Sequence, residues 1–262
     1  MGDITRKKVI QEYYARRSKD YDRQKRRTWK SNEGFSDEVI GEVLEALVAF
    51  DNKLLLDVGV GSGRNALPLL EKVEPDFVGF DLSREMLELA KEKMVSFKDN
   101  LHLTMGDGEH LPFADNVFDA IVCMSALHYF ALEGKILQTF SKALRKTGVL
   151  VYGDLTIHES DSQGFLESLE RTVSKAHAIY HKPSEVKKLM EAHGFRITRM
   201  KTFAYRKSFN SLMEDKGRYF GVSAETLHEF LQTVTPTAKV QYHLTNTDLT
   251  LYYTIIVAQR KS

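Results

Sequence analysis

Between Lys53 and about Leu155 the chain alternates short apolar runs with amphipathic stretches, and this alternation leaves few architectures open. The runs are Leu54-Leu55-Leu56, Phe77-Val78-Gly79-Phe80, Leu101-His102-Leu103-Thr104, Phe118-Asp119-Ala120-Ile121-Val122 and Val149-Leu150-Val151-Tyr152. The stretches between them have helical spacing, as in Leu132, Ile136, Leu137, Phe140 and Leu144, with Thr147-Gly148 as the expected helix stop. Strands that alternate with helices form βαβ units, so the segment predicts an α/β, doubly wound, mostly parallel sheet.

The flanks read differently. Two helical patterns are expected around a basic, aromatic stretch from Tyr13 to Trp29; the second takes Ser36 as N-cap and buries Val39, Ile40, Val43, Leu44 and Leu47. After the alternating segment, helices are expected from Phe165 to about His177 and from Pro183 to His193, then a strand from Phe195 to about Tyr205. Residues 208–246 predict an inserted helical pair, Ser211-Leu212-Met213 and Ala224 to Leu231, before a last strand over Leu251 to Ala258. The expected organisation is a helical cap over residues 1–52, a core over 53–157, and a remainder over 158–262 that completes the sheet and adds a helical cover.

Charge and cysteine usage narrow the function classes. Lys+Arg 37 against Asp+Glu 36 leaves a formal net charge of +1, too little to gather nucleic acid, so a nucleic-acid partner is not expected. Cys123 is the single cysteine, which forbids an internal disulfide and a multi-thiolate metal site and fits a cytoplasmic protein. It stands in an apolar strand, as a small core residue does. No stretch approaches the roughly 18 apolar residues of a spanning helix, so no membrane partner is expected either. The nine histidines form no metal-ligand cluster, and no metal is expected.

The most informative loop is Asp57-Val58-Gly59-Val60-Gly61-Ser62-Gly63-Arg64-Asn65, where glycines alternate at the end of the first strand. Glycine lets a ligand lie against bare backbone there. Asp81 ends the second strand at the carboxyl edge of the sheet, placed to accept both hydroxyls of a ribose. A dinucleotide fits one register, Gly61-x-Gly63-x-x-Ala66 with Asp81 beyond it, but Arg64 and Asn65 stand where small residues seat a pyrophosphate. Asp57, before the loop, would repel a pyrophosphate and suits an α-amino group; Asp107, after the third strand, can accept the exocyclic amine of adenine. The pair describes an amino acid joined to adenosine.

With these motifs in order, the chain resembles the class I S-adenosylmethionine-dependent methyltransferases, small-molecule branch, which includes quinone-biosynthesis enzymes. The resemblance implies a Rossmann-like sheet of seven strands, mostly parallel with the last antiparallel, and S-adenosyl-L-methionine as cofactor, with S-adenosyl-L-homocysteine as product. It implies that Asp57, Gly59, Gly61 and Gly63 line the methionine part and that Asp81 holds the ribose. Leu82 and Met86 would flank adenine, and Asp107, Gly108 and Glu109 would border it. Met124 ends the fourth-strand motif, whose final residues face the donor methyl. Tyr21 resembles a tyrosine that folds over the carboxylate end of the cofactor, with Trp29 and Tyr14 beside it. Val60 departs from the family's usual small polar residue or cysteine, and the segment before the last strand is longer than a minimal member needs.

Methyl transfer is a displacement that the protein promotes by alignment, and a base matters only when the acceptor carries a proton that must leave. His128 is the candidate base, with Tyr129 beside it as wall or donor. His177, Tyr180, His181, Phe209, Met213, Tyr219 and Phe220 are the aromatic-rich candidates for an acceptor cover. Met124-Ser125-Ala126-Leu127 stands where amino-methylating nucleic-acid enzymes carry Asn/Asp-Pro-Pro-aromatic, and no Pro-Cys nucleophile exists. The expectation is a methyltransferase acting on a small molecule, as a monomer or homodimer. A protein side chain as acceptor, a non-catalytic binding module and a nicotinamide-dependent oxidoreductase remain as alternatives.

Overall fold

A computed structural model describes residues 3–30, 35–48, 54–130, 133–176 and 179–261. The Trp29 side chain, Leu132 and His177 lie outside the described residues. The strands are β1 (Leu54–Val58), β2 (Asp76–Asp81), β3 (Leu101–Met105), β4 (Phe118–Met124), β5 (Leu144–Thr156), β6 (Phe195–Ser208) and β7 (Asp248–Arg260). Among the described residues they form one sheet in the order β3-β2-β1-β4-β5-β7-β6. β1 to β5 pair in parallel, and β7 runs antiparallel to both neighbours. The strand order reverses between β1 and β4, and ligands of doubly wound sheets bind in the crevice at that switch point.

The helices are α1 (Asp3–Lys30), α2 (Phe35–Val48), α3 (Ala66–Val73), α4 (Arg84–Lys93), α5 (Glu133–Ala143), α6 (Phe165–Val173), α7 (Pro183–Ala192), α8 (Phe209–Leu212), α9 (Arg218–Phe220), α10 (Ala224–Gln232) and α11 (Pro236–Gln241). Alternation along the strands sorts the core. Leu55, Phe77, Val122, Val151 and Ile255 face α2, α3 and α4, whereas Leu56, Phe80, Ile121, Leu150 and Ile256 face α5 and α7. Each such side chain contributes about 1.5–3 kcal/mol on burial. A third cluster, built from α6, Phe209, Leu227, Tyr242 and Leu251, forms the cover over the carboxyl edge.

The structure corrects several local expectations. The basic, aromatic stretch does not separate two helices: α1 runs through it as one helix. No glycine or proline interrupts residues 3–30, and Arg6, Ile10, Tyr13, Arg17 and Gln24 make a buried stripe at three-and-four spacing. Polar residues in that stripe disguise it. Ser36 is not an N-cap, since α2 already includes Phe35. α5 ends at Ala143, and Leu144 begins β5, because Leu144 pairs with Phe118 before the ladder resumes at Val149. The inserted helical pair is instead four short helices with a π-helical turn over Met213–Gly217. β6 and β7 outrun their expected ends because they pair from Phe195 with Arg260 to Ser208 with Asp248, forming a long ribbon that carries the cover. Helix α7 begins at Pro183 and stops before Gly194, whose φ of +89° suits glycine.

α1 lies across the carboxyl edge as a strap. At its N-terminal end Lys7 Nζ bonds Asp107 at 2.9 Å and Glu109 at 2.6 Å. In its middle Gln11 donates to the Leu82 carbonyl at 3.1 Å. Farther along, Asp22 accepts from Ser62 Oγ at 2.7 Å and pairs with Lys93.

Candidate active site

Under the strap lies a cavity of about 1020 Å³, floored by the loop after β1 and walled by the ends of β2, β3 and β4. Tyr21, Gly59, Gly61, Asp81, Leu82, Met86, Asp107, Gly108 and Met124, all candidates from sequence, line it. Its geometry starts from backbone constraint. Gly59 adopts φ +80°, and a Cβ there would collide with Ala126. This glycine lets the loop pass directly beneath the turn after β4.

Asp81 anchors the loop. Its Oδ2 accepts from the Gly61 amide at 2.8 Å, and its Oδ1 from the Ser83 amide at 2.9 Å. Burial pushes this carboxyl up from its ordinary range, and the amides of Ser83, Gly61 and Leu82 oppose that rise. Asp107 is held below its ordinary value. Burial alone would raise it, but the bonds from Lys7, His110 and the Glu109 amide outweigh that.

Three sequence candidates stand behind the cavity and do not line it. Gly63 adopts φ +72°, and a Cβ there would come within 2.7 Å of Met94 Cε, so this glycine serves the packing of the loop before α3 against the C-terminal end of α4. Gly63→Ala is expected to destabilise the fold by about 1–3 kcal/mol, read in denaturant unfolding; unaltered stability would refute the packing role. Glu109 is buried and receives Lys7. Asp57 is 3 % exposed beneath the loop. Burial, then the nearby Asp81 charge, lifts its carboxyl from 3.8 to about 8.

The sign of the Asp57 effect follows from proton linkage. The folded protein keeps a proton that the unfolded chain gives up above pH 3.8, so stability is expected to fall as pH rises from about 4 to 8. Thermal melts of Asp57→Asn are expected to lose this part of the pH dependence, about 2–4 kcal/mol between pH 5 and pH 8. A variant with the parent's pH profile would remove Asp57 as its source.

A second cavity, also about 1020 Å³, opens under the helical cover and shares Tyr14, Tyr21, Arg64, Asn65, Met124, Ser125 and Tyr129 with the first. Ser125, at the junction, has φ +56°, a strained value for a residue with a side chain. Its amide bonds the Gly153 carbonyl at 2.6 Å, and its hydroxyl meets Tyr253 OH at 3.1 Å.

His128 lines the second cavity, and its Nδ1 lies 2.7 Å from Asp154 Oδ1. An ionised carboxylate only accepts, so Nδ1–H donates and Nε2 is the nitrogen able to take a proton. Asp154 is 1 % exposed and also accepts from the amides of His128 at 3.3 Å and Leu155 at 2.8 Å. The imidazole lies between Tyr129 and Tyr180, with ring centroids 4.1 Å and 5.1 Å away. Tyr129 receives a hydrogen bond from Tyr14 OH at 3.2 Å, and burial drives its phenol well above the ordinary value, which keeps it protonated as a wall or donor. Cys123 is buried, and burial pushes its thiol up, away from nucleophilic ionisation.

Sequence reasoning passed over Asp154, although an acid closing the fifth apolar run next to the fourth was a usable signal. It also passed over Lys7, Gln11 and Arg17, since long-range docking alone turns their face of α1 toward the site. From the expected aromatic cover, Tyr180 reaches the second cavity, whereas Tyr219 and Phe220 pack against Tyr13. Among the described residues no cluster of acids, histidines and cysteines could hold a metal ion, and no helix is long and apolar enough to cross a membrane.

This is the sheet order, switch-point cavity and glycine loop of a class I methyltransferase, and residues 55–148 match the family described as "Methyltransferase domain". Those residues, just over a third of the chain, are similar to class I S-adenosylmethionine-dependent methyltransferases. It is 35% identical over 98 residues to the uncharacterized methyltransferase YcgJ of Bacillus subtilis, covering 36% of this chain and 37% of that protein. It is 33% identical over 108 residues to the demethylmenaquinone methyltransferase of Deinococcus radiodurans, covering 41% and 44%. The aligned part thus spans less than half the length of either relative. The solved structure of YcgJ superposes with a TM-score of 0.75 at 21% identity, covering 86% of this chain and 99% of that one. A methyltransferase structure from Bacillus halodurans gives 0.73 at 22%, covering 84% and 99%. At these identities the structural likeness speaks for the fold.

Proposed function

We propose that the protein transfers a methyl group from S-adenosyl-L-methionine to a small-molecule acceptor by direct displacement, releasing S-adenosyl-L-homocysteine. The observation that carries this reading is the meeting of two cavities at Met124, Ser125 and Tyr129, one with an adenosyl-type donor set and the other with a buried His–Asp pair. When bound, the cofactor supplies an electrophilic methyl on a sulfonium. The residues of the first cavity fit it: Asp81 is an acceptor for ribose hydroxyls, Leu82, Met86 and Phe80 are apolar, and bare backbone lies at Gly61 and Gly108.

His128, oriented by Asp154, takes a proton from the acceptor through Nε2, and the buried carboxylate stabilises the resulting imidazolium. The tyrosine walls and the strap border the junction at which the two cavities meet. Residues 1–52 act as the cap, 53–157 as the cofactor core and 158–262 as the acceptor-side remainder.

Calorimetric titration with S-adenosylmethionine, S-adenosylhomocysteine and NAD in parallel tests the reading, followed by an acceptor screen for S-adenosylhomocysteine release. Binding of the two sulfur ligands and turnover of a small molecule are expected. Binding of NAD alone would place the chain among the oxidoreductases.

A further inference from the structure

This inference rests on the methyl-transfer reading and asks what the second cavity accepts. The lining of that cavity holds charge. Arg17, Lys207 and Lys216 line it with Glu170 and Asp215, and Arg17 and Lys207 are less than a tenth exposed. Asp215 serves two cations, Lys207 and, at 3.5 Å, Arg17, while Glu170 pairs with Lys216. Over all the described residues that line the cavity, the four cations Arg17, Arg64, Lys207 and Lys216 stand against the three carboxylates Asp154, Glu170 and Asp215, so the lining carries a formal charge of one positive.

Buried charge is costly unless compensated, so a pocket that concentrates it selects for the opposite charge in its ligand. Burial holds the Lys207 ammonium below its ordinary value; Asp215 opposes that, while Arg17 and Lys216 lower it further, which an added anion would relieve. Tyrosine hydroxyls extend the donor set. Lys216 Nζ lies 3.4 Å from Tyr180 OH, and the Tyr180 ring lies against His128, so one side chain links Lys216 to the proton acceptor.

The geometry points to an acceptor that carries an oxyanion, a phosphate monoester or a carboxylate, seated at Lys207, Lys216 and Arg17, with its nucleophilic atom directed toward His128 and the Met124–Ser125 junction. The anion fixes orientation at one end of the molecule so that the other end meets the methyl donor.

The test uses the full chain saturated with S-adenosylhomocysteine and titrated calorimetrically with inorganic phosphate or with acetate at constant ionic strength. Saturable binding of one anion is expected, and which one binds separates phosphate from carboxylate. Lys216→Gln is expected to weaken that binding about tenfold, and Glu170→Gln, which enlarges the excess positive charge, to strengthen it. Thermal melts check both variants, and Glu170→Gln alone still gives the sign if Lys216→Gln fails to fold. Absence of binding by either anion, in a chain that binds S-adenosylhomocysteine, overturns the anionic acceptor and leaves the methyl-transfer reading standing. Failure of S-adenosylhomocysteine itself to bind overturns both.

Discussion

His128→Ala is expected to cut turnover about 10²–10⁴-fold on an acceptor identified by S-adenosylhomocysteine release, with S-adenosylmethionine affinity unchanged within about twofold. The split follows from position: His128 lines the second cavity and not the first. Asp154 acts through His128, as a positioning residue. Asp154→Asn can still contact Nδ1, but its amide no longer requires that nitrogen to be the protonated one, so the tautomer with a free Nε2 loses its preference. It is expected to lower kcat and alter the pH–rate profile while KM and the melting temperature hold. A His128→Ala enzyme with parental kcat would show that the acceptor needs no base and that the pair serves packing alone.

The second large effect lies on the cofactor side. Asp81→Ala is expected to weaken S-adenosylmethionine binding by about 1.5–3 kcal/mol, roughly tenfold to 150-fold, because the ribose hydroxyls lose a charge-assisted acceptor. Asp81 also ties the Gly61 amide to the Ser83 amide, so its removal loosens the loop on which the ligand rests. Stability provides the contrast. Burial raises the Asp81 carboxyl above its ordinary value, so this charge is held at a cost, and Asp81→Asn, which keeps one acceptor but sets its NH2 against the other amide, is expected to bind poorly with a smaller fall in melting temperature than Asp81→Ala. Affinity equal to the parent's would remove the ribose role.

Both effects concern residues found by different routes. Asp81 was legible in the sequence because it ends an apolar run at fixed distance from a glycine loop, and β2 carries it to the sheet edge whatever the rest of the molecule does. His128 was legible as a residue beyond β4, but its partner was not, since Asp154 reaches it only because β5 lies beside β4 in the sheet. Asp57, Gly63 and Glu109 share motifs with cavity residues yet stand behind the cavity, because a motif specifies sequence neighbours and burial depends on which side of the loop each faces.

The sequence by itself determined the alternation of strands and helices, the glycine turn and the acids at the strand ends, all of which rest on short-range periodicity and on backbone freedom at glycine. Tertiary structure alone decided that α1 is a strap. Arg17, in the basic, aromatic stretch, is buried there against Tyr13, Gln24 and Asp215. The same holds for the second cavity, whose charges come from α1, the loop after β1, β5, α6, β6 and the π-helical turn, elements far apart in the chain. Local pattern records which face of an element is apolar; it carries no record of polar side chains that become buried only because a distant segment supplies the opposite charge.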